Sequence, residues 1–74
     1  MLKKEGVRAG VSDLFLAVPR GKWHGAFIEM KTESGVVSDA QSEFIVSALN
    51  QGYAIAVCRS FNSAISTISD YLKQ

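Results

Sequence analysis

Two short apolar runs, Leu14-Phe15-Leu16-Ala17-Val18 and Ala26-Phe27-Ile28-Glu29-Met30, flank a segment that a strand cannot absorb. That segment, Pro19-Arg20-Gly21-Lys22-Trp23-His24-Gly25, holds the single proline of the chain and two of its six glycines. Proline has no N–H to give to a ladder, so the first run ends there. Runs this close in sequence pair most simply as an antiparallel hairpin. Centring the hairpin near Gly21 sets Asp13 opposite Glu29, because the two lie equally far from it. A slip of one residue would break that match.

Residues two apart in a strand share a face. Glu29 and Lys31 therefore point one way and Ile28 and Met30 the other, and the hairpin adds Asp13 to the charged face. Two carboxylates side by side disfavour each other's ionisation unless something uses them. A divalent metal is the obvious user. Magnesium takes hard oxygen ligands and keeps several waters, so one or two carboxylates hold it. Asp13 and Glu29 are candidate ligands, with the backbone carbonyl of Met30 as a third oxygen. Lys31 is placed to orient an attacking water or to hold a phosphate oxygen. Such a set suits phosphodiester hydrolysis, which needs a polarised phosphoryl oxygen, an activated water and a stabilised developing charge.

The rest of the chain reads as alternating elements. Thr32–Val37 contains Gly35 and forms a turn. Ser38-Asp39-Ala40-Gln41 fits a capping box, which starts a helix running from about Asp39 to Gln51, with Gly52 as its stop. Tyr53–Cys58 is almost wholly apolar, as expected of a strand covered on both faces and lying parallel to the second. Phe61, Ala64, Ile65, Ile68, Tyr71 and Leu72 recur at helical spacing and define a second amphipathic helix, capped at Ser60 or Asn62. The order is strand, strand, helix, strand, helix: an α/β chain with a small mixed sheet.

With 74 residues, the chain makes one domain, 1–74, and a domain this small gains from association with a second copy. Cys58 and His24 each stand alone, which argues against a disulfide or structural zinc and suits a reducing cytoplasm. No apolar run approaches the length of a membrane span, and the start is not signal-like. Residues 1–31 hold six of the eight basic side chains but three of the seven acidic ones, so the half with the acidic site is the basic half. That distribution suits a phosphate backbone approaching a metal. Arg8, Arg20 and Lys22 are the candidate phosphate contacts.

The ordered set Gly10-Val11-Ser12-Asp13-Leu14-Phe15, Gly25, Phe27-Ile28-Glu29-Met30-Lys31, Ser38-Asp39-Ala40-Gln41 and Gly52-Tyr53 resembles the PD-(D/E)xK nucleases. Within them it is similar to the virus-type replication-repair nuclease domain, VRR-NUC, of phage and bacterial proteins. The resemblance implies a restriction-endonuclease-like fold and a magnesium- or manganese-dependent endodeoxyribonuclease. By it, Asp13 and Glu29 are metal ligands, Lys31 is the catalytic lysine and Gln41 reaches towards the site from the helix. It also implies a homodimer acting on branched DNA such as Holliday junctions, inside a bacterial or phage-infected cell, without an organic cofactor. Two departures stand out. Ser12 occupies a position where the family usually has proline. The family's N-terminal helix and its extra glutamate have little room here, because only about a dozen residues precede Asp13 and Glu5 is the sole acid among them. A catalytically incomplete module that binds nucleic acid or protein without cutting is the alternative.

Other residues have plainer readings. The capping box by itself accounts for Gln41. Trp23 is a loop aromatic or a dimer contact, His24 an ordinary loop histidine, and Cys58 a small buried apolar residue.

Overall fold

The computed structural model describes residues 13–74. Strand β1 spans Leu14–Leu16, β2 Ala26–Met30 and β3 Ala54–Cys58; helix α1 spans Asp39–Asn50 and α2 Phe61–Leu72. The three strands form one mixed sheet with β2 in the middle. β1 and β2 are antiparallel, with Leu14 opposite Ile28 and Leu16 opposite Ala26, the register centred on Gly21. β2 and β3 are parallel, with Ala26 beside Ala54 and Met30 beside Cys58. The element order and the sheet match the reading of the sequence.

The hairpin narrows to a two-residue turn at its far end. Arg20 and Trp23 exchange both backbone hydrogen bonds, at 3.1 and 2.9 Å. Gly21, first of the two central residues, has φ of 55°, and no residue but a glycine has positive φ among the described residues. Glycine there alone with positive φ is the type II′ arrangement, whose twist matches that of paired strands. β1 is shorter than the apolar run, which continues to Val18. Beyond it, the Val18 carbonyl makes a tertiary contact instead, accepting from the Tyr71 hydroxyl of α2 at 2.6 Å.

Both helices start on serine. The Ser38 hydroxyl accepts from the Gln41 N–H at 3.1 Å, and the Gln41 side-chain oxygen accepts from the Ser38 N–H at 2.9 Å, which completes the capping box. At α2 the Ser60 hydroxyl accepts from the Ser63 N–H at 3.0 Å, so Ser60 and not Asn62 is the cap. α1 ends in a Schellman closure: Gly52 N–H donates to Leu49 O at 3.1 Å and Tyr53 N–H to Ala48 O at 3.0 Å. Gly52 has φ of 92°, and a β-carbon on it would come within 2.7 Å of the His24 ring. Glycine is therefore required twice over at this position, by the backbone and by the close approach.

The two faces of the sheet differ. Ile28, Cys58 and Ala64 are buried together, with Leu16, Met30, Ala56 and Ile68 packed around them, which forms the core under α2. Cys58 is buried as expected, its thiol 3.6 Å from the Thr67 hydroxyl. The other face is aromatic. Phe27 stacks on Phe15 at 4.5 Å and meets Phe44 of α1 edge-on at 5.0 Å and Tyr53 at 5.5 Å. Odd-numbered residues of β2 belong to this second face, and Glu29 continues it past Phe27.

Candidate active site

The charged site forms at the open end of the hairpin, away from the turn. Continuing the register by one residue sets Asp13 beside Glu29, the pairing expected from the spacing around Gly21. One more bond fixes Asp13. Its Oδ2 accepts from the Met30 N–H at 3.0 Å, so the side chain takes the place of a ladder acceptor and ties the start of β1 to the end of β2. A strand residue sends its N–H and C=O to the same edge. The Met30 carbonyl therefore leaves β2 on the Asp13 side, where a third hard oxygen is wanted. On the opposite edge, Lys31 N–H donates to Cys58 O at 2.9 Å and carries the β2–β3 pairing one residue past the strand.

Among the described residues, Glu29 is the charged side chain that is buried, with 4% of its surface exposed. Burial of a carboxylate is costly unless charge or hydrogen bonds compensate it. Compensation here is incomplete. Burial holds the Glu29 carboxyl above the usual glutamate range, and the negative charge of Asp13 pushes the same way. The Lys31 ammonium opposes both, and a hydrogen bond with the Asp13 carboxyl adds to the rise. Among the described residues, Lys31 alone opposes that rise, and Glu29 stays above the ordinary range. Two carboxyl groups beside each other, one of them desolvated, with Lys31 as the cation that acts on Glu29 among the described residues, are groups that could hold a cation. The donor set is oxygen only, which suits magnesium or manganese rather than a soft metal. Among the described residues, no three histidine, cysteine, aspartate or glutamate side chains come together. The carboxylates brought together are Asp13 and Glu29.

The other expected site residues fall elsewhere or serve other ends. Gln41 lies in the first turn of α1, which follows the Lys31 loop, but its side-chain oxygen is held by the Ser38 N–H at 2.9 Å. Arg20 and Lys22 occupy the turn end of the hairpin, the end opposite the acids. The Arg20 guanidinium donates to Leu72 O at 3.3 Å and to Pro19 O at 2.8 Å, which closes the C-terminus of α2. The Lys22 ammonium sits 4.9 Å above the half-buried Trp23 ring. His24 packs edge-on to Tyr53 at 5.7 Å in the same region. Arg8, Ser12 and Glu5 lie outside the described residues.

The acids sit at the end of the sheet away from the hairpin turn. A groove of about 420 Å³ between α1 and the aromatic face is lined by Phe27, Phe44, Tyr53 and residues of α1, without Asp13, Glu29 or Lys31. One residue at the acid end of the sheet has no counterpart in the sequence reading. Arg59 follows β3, and the parallel offset sets it level with Lys31. Its Nη1 donates to the carbonyls of Thr32 at 2.9 Å, Glu33 at 3.4 Å and Gly35 at 2.6 Å, all in the turn just after Lys31.

Comparison with known proteins agrees with this fold. The family model of the VRR-NUC domain matches residues 1–62. A solved structure described as a VRR_NUC domain protein superposes with a TM-score of 0.87 at 35% sequence identity, covering 95% of this chain. The chain spans 58% of the length of that protein. No curated protein matches. A family match over most of the chain, together with the strand-strand-helix-strand-helix sheet that presents Asp13, Glu29 and Lys31, shows that this chain belongs to the VRR-NUC domain family, a family of nucleases.

Proposed function

We propose that the chain is a magnesium- or manganese-dependent endonuclease that cuts branched DNA as a homodimer. The observation that carries this reading is the Asp13–Glu29 pair: a buried carboxyl and its neighbour on one sheet face, with Lys31 as the cation acting on them among the described residues. Asp13, Glu29 and the Met30 carbonyl would hold the ion. When bound, such an ion polarises a phosphoryl oxygen and lowers the pKa of a water. Lys31 orients the attacking water or holds a non-bridging phosphate oxygen, from the strand end where its backbone is tied to Cys58. Gln41 supports the site from the first turn of α1. Lys22 and Arg20 stand within reach only of DNA that extends along the sheet to the hairpin turn.

Support for a second copy comes from α2. Phe61 is 75% exposed, Ile65 50% and Leu72 40%, and helical spacing places all three within one narrow stripe. Exposed apolar stripes of this kind mark association surfaces. A two-fold pair of sites would suit a two-fold junction.

The test is cleavage of a four-way junction and the matching linear duplex by the purified chain, with and without divalent metal. Nicking of the junction in magnesium or manganese, absent in EDTA, is expected. Lys31→Ala should lower kcat by about 10²-fold or more, the range lost with a group that handles the reacting water. Full activity in Lys31→Ala would sink the assignment. Binding without cutting remains the second reading, because two carboxylates are what the described residues bring together. Undiminished DNA binding by a wild-type chain that cuts nothing in any metal would favour it.

A further inference from the structure

We infer that Arg59 is a positioning residue for Lys31, acting as the resident cation of a cup made of backbone carbonyls; its catalytic consequence rests on the nuclease reading above. The turn after Lys31 is closed by one backbone bond, Gly35 N–H to Thr32 O at 3.1 Å. Closing it turns the carbonyls of Thr32, Glu33 and Gly35 towards one point. Three carbonyl dipoles aimed at one place repel one another unless a cation or donors stand between them. The Arg59 Nη1 stands there, at 2.9, 3.4 and 2.6 Å. The contact spans more than twenty positions of sequence, so it is a tertiary lock and not a local turn device.

The place of the lock gives it a purpose. Lys31 is held on one side by its N–H bond to Cys58 O, the residue just before Arg59. On the other side its chain enters the locked turn. Lys31 is thus clamped between two consecutive residues of one strand end, Cys58 through the backbone and Arg59 through the side chain. The Lys31 side chain, whose charge acts on Glu29, is thereby set on a fixed backbone, although the turn itself is exposed and polar. Such a fixed mount matters for chemistry, where misplacement by about 1 Å costs orders of magnitude in rate. Arg59 touches neither the acids nor the reacting atoms in this arrangement.

The experiment compares wild type with Arg59→Ala and Arg59→Lys, using two readouts. The first needs no activity: reductive ¹³C-methylation of the lysines, with the Lys31 signal assigned from Lys31→Arg, and hydrogen exchange of the Gly35 amide. In Arg59→Ala the Lys31 signal should move and Gly35 exchange should quicken at least tenfold. The second is cleavage kinetics in magnesium. A fall in kcat of about tenfold or more is expected, with KM changed less than about threefold. Arg59→Lys should recover part of each effect, because an ammonium also donates to several carbonyls. Added methylguanidinium should restore Arg59→Ala in part. An unmoved Lys31 signal, or a loosened turn with unchanged kcat, overturns the inference. Wild-type protein that cuts no DNA refutes the nuclease reading instead, while the Lys31 signal still decides the role of Arg59.

Discussion

At the scale of single residues, burying Glu29 carries a cost that depends on pH. A folded-state pKa raised above the unfolded value means that the native protein holds a proton at pH values where the unfolded chain has released it. Stability from this group is therefore greatest below the ordinary glutamate range. It is lost as pH rises through the raised folded value. Glu29→Gln removes the titration and keeps the shape. We expect Glu29→Gln to melt higher than wild type at pH 7 in EDTA, to melt like wild type near pH 4, and to lose cleavage. Thermal scans at the two pH values check this; equal melting temperatures at pH 7 would contradict the burial argument. The trade is one that active sites commonly make, stability given up for a poised charge. Asp13, Glu29 and Lys31 were legible in the sequence because strand alternation and a turn centre fix faces and partners. Arg59 was not. Its sequence signal is a single arginine after an apolar strand, and the three carbonyls that give it meaning converge only once the chain has folded. The offset of the parallel pair, which sets Arg59 beside Lys31, was the one available hint.

At the scale of elements, punctuation decided the boundaries. Ser38, Ser60, Gly21 and Gly52 each mark an end by a local mechanism, and the structure honours all four. β1 is the exception: it ends at Leu16, short of Val18, whose carbonyl is bonded by Tyr71 of a distant helix. Gln41 poses the sharpest question at this scale, since one side chain is asked to cap α1 and to support the site. Ser38→Ala should cost about 1 kcal/mol, and a domain of this size then melts ~4–8 °C lower. Gln41→Ala should lose both stability and cleavage. Gln41→Glu retains the capping box and should recover the melting temperature. Cleavage that returns together with stability in Gln41→Glu would show that Gln41 acts through the cap. Cleavage that stays low in a fully stable Gln41→Glu would show the amide at work in the site.

At the scale of the whole molecule, the sheet divides the labour. Its α2 face carries the small core of Ile28, Cys58 and Ala64, and its α1 face carries the aromatic cluster and then the acids. A chain of 74 residues has little core to spare, and α2 leaves Phe61 and Ile65 uncovered on its outer side. Phe61→Lys with Ile65→Lys alters exposed positions, so the fold should survive while self-association fails. Sedimentation should show a dimer for wild type and a monomer for the double variant; a wild-type monomer at tens of micromolar would contradict the proposed pairing. Among the described residues, no helix is long and apolar enough to cross a membrane. The sheet order and its parallel crossover were legible because each element declares its period. The joint aromatic cluster of Phe15, Phe27, Phe44 and Tyr53 was not, since it draws on four segments that periodicity treats separately.

In the proposed function, a divalent metal completes the Asp13–Glu29 pair. Calorimetric titration of the apo chain with manganese at neutral pH tests it most directly. Saturable binding is expected in wild type, together with proton release from Glu29, since the metal takes the place of the proton that burial favours. Asp13→Asn and Glu29→Gln should each weaken that binding by at least about tenfold, and Lys31→Ala should leave it intact or strengthen it. Manganese binding of equal strength in wild type and in both carboxylate variants, or none in a wild-type chain that cuts DNA, would contradict the account.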